Sequence, residues 1–164
     1  IAEQFGIQLI IPKSFWKAKT ANDFMWIRLE TDKYSQGILI YKTNFTDSSQ
    51  LQLPALITLR NSVTSKYIPG EIDGSFMVTD TVVPPIIKYV PFGTKNVIEV
   101  RGLWRMSGDF MGGPFVSYAI VDTTTNKLII LEGFVYFPNK DKRDLLLQLE
   151  AIIHSAQFIS KTDI

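Results

Sequence analysis

Asn96-Val-Ile-Glu-Val-Arg-Gly-Leu-Trp-Arg-Met106 is the stretch that decides the fold. Ile98, Val100, Gly102, Trp104 and Met106 fall on one side of an extended chain, and Glu99, Arg101, Leu103 and Arg105 on the other. A period of two over eleven residues is the signature of a β-strand with one apolar face. Downstream, Gly108-Asp-Phe-Met-Gly-Gly-Pro-Phe115 forms a loop, Phe115–Val121 reads as a second strand, Asp122–Lys127 as a polar turn, and Leu128–Phe137 as a strand that pairs back. Upstream, Ser75–Val83 is strand-like, Pro84-Pro85 breaks it, and Ile86–Val90 reads as an edge strand before the turn Pro91-Phe92-Gly93.

The N-terminal half follows the same pattern. Phe24–Thr31 and Gly37–Phe45 make a hairpin about Asp32–Gln36, with Phe24, Trp26 and Arg28 on one face of the first arm. Phe5–Ile11 is apolar and alternating, which predicts a further strand. The near-continuous apolar runs Ile7–Ile11 and Leu128–Leu131 predict central strands covered on both faces. Two amphipathic helices complete the chain. One covers about 54–67, with Pro54 in its first turn and a stripe of Leu56, Leu59, Val63 and Tyr67. The other covers about 140–159, with Leu145, Leu149, Ile152 and Ala156 in its stripe, Leu146 and Ile153 widening it, and Asn139 or Asp141 as cap. The order β-β-β-α-β-β-β-β-β-α, with short turns, predicts an α+β class: a largely antiparallel sheet packed with two helices, in a single domain over 1–164.

Composition excludes several functions. The chain has 46% hydrophobic and 20% charged residues, which is globular rather than disordered. Seventeen Lys and Arg against sixteen Asp and Glu leave a net charge of +1, without the basic excess of a nucleic-acid binder. Cysteine is absent, which removes disulfides, thiolate nucleophiles and Cys-based metal sites. No uninterrupted apolar run is long enough to predict a transmembrane segment. The one histidine, His154, points away from the apolar stripe of its helix and reads as a surface residue, not a member of a triad or metal set. Gly108, Gly112 and Gly113 lie between two antiparallel strands, whereas phosphate-binding loops run from a strand into a helix N-terminus, so no phosphate site and no cofactor are expected. Asn44-Phe45-Thr46 matches a glycosylation sequon, a triplet common by chance.

The Gly108–Phe115 loop is the most unusual segment, because it sets Phe110 and Met111 among glycines where a plain hairpin would use polar residues. Either the glycines supply special backbone angles while Phe110 and Phe115 fold back as core plugs, or an apolar tip flanked by charges grips a partner. The second reading makes Arg101, Trp104, Asp109, Phe110, Met111 and Phe115 the candidate binding surface, with no catalytic or metal-binding residue. Glu99 and Arg101 share a face, either as a salt-bridged outer surface or as the wall of a cleft in which Glu99 with Asp109 acts as a hydrolytic carboxylate pair. Arg28 beside Trp26 carries the same ambiguity.

The stretch Glu99–Tyr118, together with Gly133-Phe-Val-Tyr-Phe-Pro138, Asp141-Lys-Arg143 and Gln148-Leu-Glu-Ala-Ile152, resembles the uncharacterised Bacteroidetes lipoprotein family known as domain of unknown function 4837. Phe24-Met-Trp-Ile-Arg28, Gly37-Ile-Leu-Ile-Tyr41 and Tyr67-Ile-Pro-Gly70 extend the likeness over most of the chain. The resemblance implies an exported protein of the cell envelope, periplasmic or anchored at the outer membrane through a lipid on a preceding segment, with this chain as its C-terminal part. It implies no activity. Ile11-Pro-Lys-Ser-Phe-Trp16 and the closing Ile152-Ile-His-Ser-Ala-Gln-Phe158 bear a weaker topological likeness to PsbP-like domains. The function expected is a non-enzymatic binding or scaffolding module for an envelope protein or glycan. The alternatives are the carboxylate hydrolase of glycans or peptides and a carrier of a small apolar ligand.

Overall fold

In the computed structural model, which describes residues 1–159, the deciding stretch is the longest strand of an antiparallel sheet. In chain order the elements are α1 (Ala2–Phe5), β1 (Ile7–Gln8), β2 (Trp16–Ala21), β3 (Phe24–Glu30), β4 (Ser35–Asn44), a 3-10 turn (Ser48–Leu51), α2 (Leu53–Tyr67), β5 (Phe76–Asp80), β6 (Ile86–Phe92), β7 (Lys95–Ser107), β8 (Gly112–Asp122), β9 (Lys127–Tyr136), α3 (Arg143–His154) and β10 (Gln157–Phe158). The main sheet runs β2-β3-β4-β9-β8-β7-β5, and β6 pairs with β7 on the same edge as β5. The α+β class and the antiparallel pairing expected from the short turns are both present.

Each face of the sheet carries its own core, as the period of two requires. On one face Leu39, Val100, Trp104, Phe115, Ile130 and Phe134 pack with Leu56 of α2. On the other, Ile38, Ile40, Val116, Tyr118 and Leu131 pack with Leu149, Ile152 and Ile153 of α3. Leu128–Leu131 is central and fully buried, as expected.

Three expectations change. Phe5–Ile11 is not a central strand. A turn of helix ends at Gly6 in the left-handed region (φ 65°), and only Ile7 and Gln8 pair, with Phe158 and Gln157 in a separate two-stranded ribbon. Its alternation arises because Phe5 and Ile7 are buried, and Leu9 and Ile11 packed, against the α3-side core. The closing helix is Arg143–His154, shorter than 140–159: Asp141 Oδ1 accepts the Arg143 N–H at 2.9 Å, and Ser155 turns the chain into β10. Trp16–Ala21 is an additional edge strand, with Lys17 and Lys19 at a bulge that protects the free edge.

The α2 stripe is also displaced. Leu59, Val63 and Tyr67 pack partly, but the residues buried at the centre are Leu56, Arg60 and Thr64. Arg60 enters the core because Glu132 of β9 awaits it: Nη2 and Nε reach the carboxylate at 2.8 and 3.0 Å, Nη1 reaches Thr79 Oγ1 at 3.0 Å, and the guanidinium lies 3.9 Å from the centre of the Phe115 ring.

Candidate functional site

The residues singled out from sequence do not form one surface. Phe115 is buried beneath α2 under Arg60. Arg101 projects from the opposite face of β7, clamped between two carboxylates: Nε and Nη2 bond Glu99 at 2.8 and 2.9 Å, and Nη1 and Nη2 bond Glu150 of α3, both at 2.8 Å. Asp109 stands at the β7–β8 tip, where its Oδ1 accepts the Phe110 N–H at 2.6 Å. Phe110 is fully exposed, so it is not a core plug, whereas Phe115 is. Only Trp104 and Met111 come together, in a cleft. The hydrolytic pair is likewise not assembled: Glu99 is held by Arg101, and eight strand residues, about 26 Å of extended chain, separate it from the end of β7 before Asp109.

The Arg101 clamp is structural. Burial alone would raise the Glu99 carboxyl, but the hydrogen bonds and charge of Arg101 outweigh it and hold the group below its ordinary range. A depressed carboxyl stabilises the fold above its unfolded value and loses that contribution as pH falls through the folded one. Wild-type stability is therefore expected to fall as pH drops below about 4.5. Urea melts of Glu99→Gln between pH 7 and pH 3 should show a flatter acid limb than wild type, and equal slopes would remove Glu99 from that account. Beside the clamp, the Tyr118 hydroxyl is pushed above its usual range by burial and by Glu150 and Glu99. It lies 3.2 Å from His154 Nε2, and the His154 ring, otherwise exposed, rests 4.8 Å from Phe92.

The cleft, of about 510 Å³, opens on the α2 face of the sheet beyond the end of that helix. Trp104, Phe134 and Tyr136 form its floor, with Trp104 edge-on to Phe134 at 5.7 Å and 6.2 Å from Tyr136. Trp104 reaches this place by crossing β8. It sits opposite Gly113 in the register, and its Nε1 donates to the Val135 carbonyl of β9 at 3.2 Å. A Cβ on Gly113 would lie 2.0 Å from that carbonyl oxygen and 3.1 Å from the indole nitrogen, so the second glycine of the Gly112-Gly113 pair is there for space. Gly37 acts likewise on β4, where a Cβ would lie 2.2 Å from the Phe134 ring.

One wall is β3 and its hairpin loop. Trp26, Arg28 and Glu30 alternate onto the cleft face, and Thr31 Oγ1 shapes the loop by accepting the Tyr34 N–H at 3.1 Å. Arg28 pairs with Glu30 and stacks over Trp26, 4.9 Å from the ring. The other wall is Ile68–Glu71, pinned by the Gly70 N–H to the Ser75 carbonyl at 3.0 Å, with Met111 from the β7–β8 tip. Trp26 Nε1 and Arg28 Nε, both buried, have no hydrogen-bond partner in the protein. An unpaired buried donor costs about 1–3 kcal/mol, and here two occur on one wall of one cleft.

A second hollow, of about 570 Å³, lies beside α1 and is bordered by Lys42, Lys95, Lys127 and Asp122. Its charged groups already have partners. Lys42 Nζ bonds the Gln4 carbonyl at 2.5 Å, Lys127 Nζ bonds Asn44 Oδ1 at 2.6 Å, Lys95 stacks on Phe158, and Asp122 accepts the Thr124 N–H. Among the described residues no group of three His, Asp or Glu side chains is placed to hold a metal, and no helix is long and apolar enough to cross a membrane.

The fold is an antiparallel α+β sheet with helices on both faces and an aromatic-lined cleft on the α2 side. The chain belongs to the family described as domain of unknown function (DUF4837), whose model matches residues 1–155. No curated protein matches it in sequence. Among solved structures it is similar to LpqN, involved in cell envelope biogenesis of Mycobacterium tuberculosis. The TM-score is 0.49 at 12% identity, over 94% of this chain and 83% of that one.

Proposed function

We propose that the chain is a non-enzymatic binding module of the cell envelope that takes its ligand in the Trp26–Trp104 cleft. The observation that carries the reading is the pair of buried donors without acceptors, Trp26 Nε1 and Arg28 Nε, in the wall of a cleft large enough for a small ligand. The charged groups of the Arg101 clamp and of the lysine hollow are satisfied internally, and the one further buried side-chain atom without a partner among the described residues, Gln36 Oε1, lies outside the cleft and is an acceptor. The envelope assignment follows the resemblance to exported lipoproteins. Phe110, exposed beside cleft-lining Met111, supplies an apolar contact at the mouth.

The indole N–H signals of Trp26 and Trp104 test the reading in one experiment. In a fragment screen followed by 15N NMR, hits should shift the Trp26 indole N–H most. The Trp104 N–H, bonded to Val135, should move less. Hits gathered at Lys42, Lys95 and Lys127 instead would overturn the assignment of the cleft.

A further inference from the structure

We infer that the cleft is built for a neutral saccharide; the inference rests on the cleft being the binding site. The charge pattern disfavours an anion. Glu30, Asp32 and Glu71 line the cleft against Arg28 and Lys33, and Arg28 is already neutralised by Glu30, so an acidic ligand meets net negative charge. A cation gains from that charge but leaves the unpaired donors unsatisfied. The face of Trp26 is taken by the Arg28 guanidinium, and the two unpaired groups are N–H donors, which repel positive charge.

An extended peptide needs free main-chain groups, yet the strands around the cleft are paired through Glu30↔Ser35 and Phe76↔Ser107. What remains is a cleft with carboxylate acceptors and aromatic rings, and two unpaired N–H donors buried in one wall. Hydroxyl groups both donate and accept, and so meet the indole and guanidinium N–H groups and the carboxylates at once. The C–H face of a pyranose ring matches an aromatic face, and Tyr136, half-buried among the cleft-lining residues, is the floor ring able to supply one, since Phe134 and Trp104 are buried. The ion-pair partner of Arg28 is Glu30, whose side chain is 55% exposed, and the guanidinium otherwise only stacks on Trp26 and Trp16, so a sugar that displaces the weak pair opens a path to both buried N–H groups.

The test is a 15N NMR titration of the full 164-residue chain. The probes are maltotriose, cellotriose, mannotriose and chitotriose, with trigalacturonate, choline and decanoate as competitors of other chemistry. At least one neutral trisaccharide should shift the Trp26 indole N–H and saturate with a Kd below about 1 mM. Trp26→Phe, which keeps a ring and loses the N–H, should weaken that binding about tenfold with unchanged folding by circular dichroism. If trigalacturonate, choline or decanoate saturates the cleft more tightly than every neutral sugar, the saccharide inference falls while the cleft stands. If no probe shifts the cleft signals, both fall. Undiminished sugar binding by Trp26→Phe would also refute the role given to its N–H.

Discussion

Arg60→Met is expected to destabilise the domain by about 3–5 kcal/mol, because it leaves the Glu132 carboxylate buried without its partner. Both side chains of the pair are almost wholly enclosed, at 2% and 0% exposure. Burial raises the Glu132 carboxyl, and the charge and hydrogen bonds of Arg60 oppose that rise. Without Arg60 the opposition is gone and the carboxyl takes up a proton on folding. The sign follows: a folded value raised above the unfolded one stabilises fully below the unfolded value and is lost as pH rises through the folded value. The deficit of Arg60→Met relative to wild type should therefore shrink from pH 8 to pH 5, whereas a loss due only to packing would be independent of pH. Adding Glu132→Leu should recover most of the stability, since apolar replacement of a whole buried pair is often neutral or favourable. Thr79 Oγ1 also donates to Asn61 Oδ1 at 2.8 Å, a bond that does not depend on Arg60. Urea denaturation at both pH values decides it. A cost under about 1 kcal/mol would place the pair with ordinary surface bridges.

That pair also marks where local sequence reading stops. The helical period placed α2 within a residue of its observed start, because Pro54 and the spacing of apolar residues are local signals. It chose Leu56, Leu59, Val63 and Tyr67 as the inner face because such a stripe is read from apolar residues alone. What brings Arg60 inward is an acid 72 residues away, which no helical period announces. The one available hint was Glu132 itself, a lone charge within the apolar run Leu128–Phe137. The N-terminal miss has a related cause: Phe5, Ile7, Leu9 and Ile11 alternate because they pack on a sheet face, and packing imposes the same period as pairing. Trp16–Ala21 escaped because an edge strand flanked by solvent keeps little apolar alternation.

The cleft was legible only in fragments. Trp26 and Arg28 share a face by parity, and Trp104 and Met106 share another, but their meeting depends on the register through β3, β4, β9, β8 and β7. The glycines held the missing information. The sequence reading places Gly113 in the Gly108–Phe115 loop, where glycines supply backbone angles that other residues avoid. In the structure it belongs to β8, and its lack of a side chain lets Trp104 cross to β9. Arg101 and Phe115 were grouped with the loop by nearness in sequence, yet one faces α3 and the other α2.

Trp104→Ala should therefore be among the most damaging substitutions in the chain, at about 3–5 kcal/mol. The indole is 2% exposed, packs on Phe134 and Tyr136, and satisfies the Val135 carbonyl, so its loss opens a cavity and orphans an acceptor together. Gly113→Ala attacks the same arrangement from the other side. Its new methyl would sit 2.0 Å from the Val135 oxygen, a backbone atom that cannot rotate away, so β8 and β9 must separate there. About 1–3 kcal/mol is expected, the usual cost of overpacking. Both losses are read from urea melts, and hydrogen exchange at the Trp104 indole N–H in Gly113→Ala reports whether its bond to Val135 has opened. An exchange rate unchanged from wild type would show that the crossing survives without the glycine. Because Trp104 serves core and cleft at once, loss of ligand binding in Trp104→Ala would not separate the two roles; Trp26, at the margin of the core, is the residue where binding can be removed with the fold left standing.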